Sequence, residues 1–367
     1  MITINSVGSN PTRIWRMANR ERTLRIFAAV VPVDGASGGS AHILANDNHV
    51  FDPLLLSHLL EQDDAVICHD GVPVLAKVAT PQQRLHIEAA MHGEAMLNDP
   101  SIERIDVDDA FTLYNRKLRK RERPLLMRLA PDTVRAVERA TYFGAYKGVT
   151  DILTKYLWPE WALVLTRLAA FLGMSPNMVT AIGAIGCVAA TICFWQGLYW
   201  LGMAFGLTFM VLDTVDGKLA RCTLTSSKLG NIFDHGIDIV HPPFWWWAWA
   251  HGLGAWGLAL SPRTFAATMI AIIGGYVLQR LIEAYFIRRF GFHIHVWQKV
   301  DSDFRLITAR RNPNMVILFL ATLLQRPDIG IIAVAVWTVI SLLFHAMRLI
   351  QAEKGRGRGV VPRSWLT

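Results

Sequence analysis

The chain has 367 residues, 52% of them hydrophobic and 18% charged, with a formal net charge of +8 at pH 7. That is too apolar and too charge-poor for an ordinary soluble protein of this length, so a membrane protein is the first reading. Cys68, Cys187, Cys193 and Cys222 lack CxxC or Cys/His spacing, which argues against a disulfide frame and a zinc site alike.

The opening stretch MITINSVGSNPTRIWRMANRERTL has no continuous apolar run, so no cleavable signal peptide is expected and the first domain is placed in the cytoplasm. Residues 1–114 read as a small α/β domain. TLRIFAAVVPV (23–33) and DDAVICHDGVPVLAKVA (63–79) are β-rich runs, the second with Asp-Gly turn chemistry. DPLLLSHLLEQ (52–62) has helical apolar spacing, with Asp52 as N-cap and Pro53 in the first turn. Residues 115–157 form a basic connector that opens NRKLRKRERPLLMRL. A solvated helix face would account for that composition, but its place just ahead of the apolar half favours a polybasic strip on anionic headgroups.

WPEWALVLTRLAAFLGM (158–174) is short, carries a charge in its middle, and reads as an interfacial helix. From Leu168 to Leu212 there are 45 residues without a charged side chain. As one helix they would extend about 68 Å, over twice a hydrocarbon core of ~30 Å, so the run must cross, turn and return. Ser175 and Pro176 open the first span. Spans are expected near 177–196, 198–219, 229–250, 264–287, 312–325 and 329–348, within a membrane domain of residues 158–350 followed by a basic tail, 351–367. With the N-terminus inside, the inner loops hold Lys218, Arg221, Lys228, Arg288, Arg289, Lys299, Arg305, Arg310 and Arg311, whereas the outer loops hold only Arg263 and Arg326. The expected fold is a multi-pass α-helical membrane protein with six transmembrane helices, an N-terminal cytoplasmic α/β domain, and both termini inside. The positive charge is then a topology and headgroup signal, not a sign of nucleic acid.

Asp213 and Asp216 are three apart, and Asp234 and Asp238 four apart, so on helices each pair shares a face. Two such faces at the cytoplasmic ends of adjacent spans would gather four carboxylates, which repel unless a cation sits between them. Mg²⁺ is the natural counterion and keeps positions open for phosphate oxygens. Gly217, Gly230 and Gly236 permit close backbone approach, and Arg221 is placed to meet a phosphate.

Asp213-x2-Asp216-Gly217-x2-Ala220-Arg221-x8-Gly230-x3-Asp234-x3-Asp238 resembles the signature of the CDP-alcohol phosphotransferase family at all eight defining positions, and the similarity covers roughly residues 140–350. The resemblance implies a six-span homodimer that transfers a phosphoalcohol group from a CDP-linked donor to an acceptor hydroxyl and releases CMP. Carried over by position, Asp213, Asp216 and Asp234 would bind two Mg²⁺ or Mn²⁺ ions. Asp238 would be the acceptor-side base and also touch a metal. Gly217, Ala220, Arg221 and Gly230 would line the cytidine diphosphate site. CDP-diacylglycerol with a polar or phosphorylated polyol acceptor, in a bacterial inner membrane, is the first expectation for substrates, and a CDP-polyol donor the second. Ion or proton transport through intramembrane carboxylates is a distant third, since the aspartates gather at one loop and no internal repeat is seen.

Arg310 and Arg311, at the start of the fifth span, either anchor it by charge or bind an anionic acceptor. His235 and His241 read as packing or supporting residues, and FWWWAW (244–249) as lipid-facing bulk. AYKGVTDILTKYLW (145–158) is similar to the lead-in of the family branch that makes a soluble di-inositol phosphate. In that branch an N-terminal nucleotidyltransferase is fused to the membrane domain. ANDNHVFDPLLLSHLL (45–60) looks like a fragment of such a domain. Asn48 stands where the metal-binding aspartate would be, Asp47 is displaced by one, and the Gly-rich nucleotide loop is absent, so a degenerate, non-catalytic domain is expected.

Overall fold

The computed structural model describes residues 2–31 and 41–367. The chain forms two compact units, residues 1–146 with 220–225, and residues 147–219 with 226–367.

In the first unit, five strands lie in the order Ile2–Val7, Ala41–Asn46, Val72–Val78, Ala65–His69, Glu103–Asp106. The outer pairings are parallel and the two inner ones antiparallel. Asp70 and Gly71, both at positive φ, close the hairpin between Ala65–His69 and Val72–Val78, as the Asp-Gly turn requires. Helices α1 (Asn19–Val30) and α2 (Pro53–Leu60) cover one sheet face, against Ile43, Ala45 and Ile67. Helix α3 (Pro81–His92) covers the other, where Leu44, Val66 and Ala76 point. Asp52 caps α2 by accepting from Leu54 N at 2.8 Å.

One expectation and one alternative change here. TLRIFAAV lies in α1, not in a strand, and residues 32–33 of that run fall outside the described residues. Its buried positions, Asn19, Arg22, Thr23, Ile26 and Phe27, follow i, i+3, i+4, i+7 and i+8, a helical period that outweighs the β-branched content. For residues 115–129 it is the alternative of a solvated helix face that the structure removes. Leu113–Asn115 pairs with Lys120–Glu122, Leu126–Arg128 pairs with His49–Phe51, and α4 (Val134–Gly144) follows.

The second unit is helical. Its elements are α5 (Pro159–Phe171), α6 (Pro176–Trp195), α7 (Tyr199–Cys222), α8 (Lys228–Gly252), α9 (Pro262–Met269), α10 (Gly275–Phe290), α11 (Lys299–Arg305), α12 (Arg311–Leu323) and α13 (Pro327–Gly357). A π-helical turn, Ile270–Gly274, joins α9 to α10. Three stretches among the described residues are long and apolar enough to cross a membrane: Pro176–Trp195, Pro262–Phe290 and Pro327–Gly357. They mark this as an integral membrane protein. Ser175 caps α6 through Met178 N, with Pro176 at the first position. Helix α5 buries Ala162, Leu163, Thr166 and Ala169 and exposes Trp161, Val164, Leu168 and Phe171, an apolar stripe one helix face wide.

FWWWAW is only partly lipid-facing. Phe244 and Trp247 are exposed, but Trp245, Trp246 and Trp249 are buried. Those three positions, i, i+1 and i+4, share the inward face of α8: Trp245 donates Nε1 to the Cys187 carbonyl of α6 at 3.1 Å, and Trp249 packs on Phe194 and Tyr199 and donates to the Pro327 carbonyl at 3.3 Å. Just before them, Pro242 and Pro243 sit inside α8 and cannot donate amide bonds to the carbonyls of Asp238 and Ile239. The Tyr276 hydroxyl, on α10, takes the Ile239 carbonyl at 3.0 Å.

Candidate active site

Two helices carry the acidic residues. Asp213 and Asp216 lie on α7, and Asp234 and Asp238 on the first half of α8. One oxygen each of Asp213, Asp234 and Asp238 comes within 4.8 Å of the others. Asp238 is the most open, its side chain 43% accessible.

Asp216 stands apart, outside this triplet and only 3% exposed. Its Oδ2 accepts from the Thr180 hydroxyl of α6 at 2.5 Å, while its Oδ1 is buried with no hydrogen-bond partner. A buried carboxylate oxygen without a donor is costly and calls for a cation or a further donor. Hard oxygen ligands, like charges that converge, and an orphaned carboxylate oxygen together fit a divalent ion.

A cation of the chain itself, Arg311, reaches the cluster. Arg311, the first residue of α12, donates Nη2 to Asp213 Oδ2 at 2.7 Å and Nη1 to Asp238 Oδ1 at 2.8 Å. Its Nε donates to Asn312 Oδ1 at 3.1 Å, and its guanidinium carbon lies 4.8 Å from the Phe209 ring centre. Asn312 is held in turn: its Nδ2 donates to Asp151 Oδ1 at 2.9 Å and to Thr154 Oγ1 at 3.2 Å. The one charge of the guanidinium is shared between the carboxylates of Asp213 and Asp238, so Arg311 does not by itself balance the pair it bridges.

The other sequence candidates divide. Arg310, the neighbour of Arg311, turns elsewhere: its Nη2 bonds Glu283 and approaches His295 Nε2 at 3.1 Å, while Arg280 meets Glu283 at 3.3 Å. Gly230 sits in the first turn of α8, where an added Cβ would come 2.5 Å from Asn177 Oδ1 of α6, so the glycine permits that approach. A Cβ at Gly236, between the two aspartates of α8, would meet open space. Gly217 follows Asp216 on α7. Ala220 and Arg221 occupy the last turn of α7 and group with the first unit, so Lys218 and Arg221 are helical rather than loop residues. In that unit Arg22 donates to the Cys222 carbonyl and Arg25 to the Thr223 carbonyl, each at 2.9 Å. His235 Nδ1 lies 3.4 Å from Asp234 Oδ2, and His241 packs edge-on to Phe209 and Trp245. In the nucleotidyltransferase-like stretch, the buried Asp47 bonds the Ser6 hydroxyl, and Asn48 is exposed.

Thr180, Phe209, Asn312 and Asp151 were not anticipated. Thr180 carried a usable signal, being a polar residue one turn into an apolar helix. Asn312 and Asp151 are 161 positions apart and no spacing rule links them.

Residues 173–340 match the family described as CDP-alcohol phosphatidyltransferase. The chain is 34% identical over 127 residues to cholinephosphotransferase 1 of Gallus gallus, covering 32% of this chain and 36% of that protein. It is 28% identical over 174 residues to the CDP-diacylglycerol–serine O-phosphatidyltransferase of Encephalitozoon cuniculi, covering 45% and 43%. It is 36% identical over 93 residues to the phosphatidylinositol phosphate synthase of Streptomyces avermitilis, covering 24% and 38%. The chain thus spans less than half the length of each of these relatives. The matched segment contains all four aspartates, Arg311, and every helix from α6 to α12. Residues 173–340, a little under half of the chain, therefore carry a domain that matches the CDP-alcohol phosphatidyltransferase family, and the three relatives named above are phosphotransferases, phosphatidyltransferases or synthases by name.

Proposed function

We propose that the protein transfers a phosphoalcohol group, phosphatidyl in the first reading, from a CDP-linked donor to the hydroxyl of a polar or phosphorylated polyol, with release of CMP. One observation carries this reading: Asp213, Asp234 and Asp238 converge to within 4.8 Å inside the segment that matches the family. Asp213, Asp216 and Asp234 hold Mg²⁺ or Mn²⁺, which when bound neutralises the pyrophosphate and stabilises the leaving phosphate. Asp238, the most open carboxylate, faces the acceptor and takes its hydroxyl proton. Gly217, Ala220, Arg221 and Gly230 line the cytidine diphosphate.

In this reading α6, α7, α8, the α9–α10 pair, α12 and α13 are six spans. Helix α5 lies in the interface with its apolar stripe toward lipid, the site faces the cytoplasm, and the protein is a homodimer. The first unit is a non-catalytic relative of a nucleotidyltransferase, in keeping with the buried, hydrogen-bonded Asp47. A CDP-polyol donor is the second reading. It is favoured by the lead-in segment, whose Asp151 and Thr154 reach Asn312 beside the cluster.

The test supplies purified full-length protein with labelled CDP-diacylglycerol or CDP-inositol, Mg²⁺ and a panel of polyols and polyol phosphates, and measures CMP. Release with CDP-diacylglycerol supports the first reading, and release with CDP-inositol alone supports the second. Cation flux in proteoliposomes with no CMP from either donor would replace both with transport.

A further inference from the structure

We propose that Arg311 is an internal counter-cation that competes with the divalent ion for Asp213 and Asp238, and that the lead-in segment sets the strength of this competition through Asn312. The inference rests on the reading of the aspartates as the metal site.

The geometry is specific. Two guanidinium nitrogens of Arg311 reach one oxygen each of Asp213 and Asp238, two of the three residues that converge. Charge-assisted bonds of 2.7–2.8 Å are at the strong end for such pairs. The side chain is 13% accessible, closed on one side by the Phe209 ring. A guanidinium is fully charged at any working pH, so it cannot yield by losing its proton. A divalent ion bound by the same carboxylates meets this fixed charge at a few ångströms, in a setting where burial limits screening. The ion must then displace Arg311 or bind against its repulsion, and either lowers its affinity.

Arg311 is not free to swing. Its Nε is tied to Asn312 Oδ1, and the Asn312 amide is tied to Asp151 and Thr154, residues that precede the first apolar helix. The backbone of the same segment is anchored nearby, with Ile152 N donating to the Leu306 carbonyl at 2.9 Å. A change in the lead-in segment therefore reaches the cluster in two hydrogen-bonded steps, from Asp151 to Asn312 and from Asn312 to Arg311.

The experiment titrates full-length protein in nanodiscs with Mn²⁺ and follows free Mn²⁺ by electron paramagnetic resonance. Arg311→Gln is expected to tighten Mn²⁺ binding about tenfold or more. Arg311→Lys, which keeps the charge but loses the fork, should tighten it less, and Asn312→Ala should shift it severalfold in the same direction. Unchanged or weaker binding in Arg311→Gln, with Arg311→Lys folded and saturable, overturns the proposal while leaving the metal site standing. If wild type and Asp213→Asn bind Mn²⁺ equally poorly, the metal-site reading falls and the proposal with it.

Discussion

Thr180 on α6 donates its hydroxyl to Oδ2 of Asp216 on α7, and this is the hydrogen bond found for that buried carboxylate among the described residues' side chains. Replacing the hydroxyl by a methyl leaves both oxygens without a protein side-chain donor. Thr180→Val should therefore cost about 1–3 kcal/mol, read as a lower thermal midpoint in detergent, whereas Thr180→Ser should stay near wild type. Equal midpoints for Thr180→Val and wild type would show that Asp216 does not depend on this bond.

Asp238→Asn keeps the size of the side chain and removes its ability to accept a proton. CMP release should fall by about 10²–10⁴-fold, with binding of the CDP donor changed little. Comparison of single-turnover rates with donor affinity checks this, and retained turnover would remove Asp238 as the base.

Asp151 lies outside the spans and is buried. Burial alone would raise its pKa, but the charge of Arg305 and hydrogen bonds from Asn312 and Thr154 outweigh it and hold the carboxyl below its ordinary value. A depressed carboxylate contributes stability that is complete above its unfolded pKa and is lost as pH falls through the lower folded one. Its contribution should persist through neutral and mildly acidic pH and fade only below about pH 4. Asp151→Ala should cost at least ~2 kcal/mol at pH 7, because the Asn312 amide loses its carboxylate partner. Unfolding midpoints at pH 7 and pH 5 should show the same deficit.

In the first unit His49 is buried against His69, ring centres 5.7 Å apart, and its Nδ1 has no hydrogen-bond partner. Burial, then the neighbouring His69 and Arg128, lower its pKa to about 4. The unfolded chain takes up a proton near pH 6.5 that the folded chain refuses until about pH 4, so stability falls as pH drops through that window. The loss is on the order of 3 kcal/mol for this group. Thermal midpoints from pH 7.5 to 4.5 should drop less steeply in His49→Phe; identical slopes would contradict the assignment.

How legible this was from sequence depends on the range of the interaction. Ser175 with Pro176, Asp52 with Pro53, and the Asp70-Gly71 turn are short-range devices, and each is found where the local chemistry put it. The aspartates of α7 and α8 were readable because i, i+3 and i, i+4 spacing fixes a helix face, and helices joined by a short loop are neighbours in space. Arg311 was singled out, but its partners were not. It meets Asp213 across 98 positions, and nothing local distinguishes an arginine that anchors a helix from one that enters an acidic cluster. The reading of residues 23–30 as a strand failed by weighting β-branched content over a helical period. FWWWAW failed by treating six residues of a helix as one face.

The proline pair of α8 has a mechanical consequence. Asp234 and Asp238 ride on the half of the helix before Pro242, while the tryptophans that wedge it against α6 belong to the half after Pro243. With two rungs of the amide ladder missing at the junction, and the freed Ile239 carbonyl taken up by Tyr276 of α10, the acidic half is joined to the aromatic half by fewer backbone bonds than in an unbroken helix, and its position is set in part from the neighbouring helix.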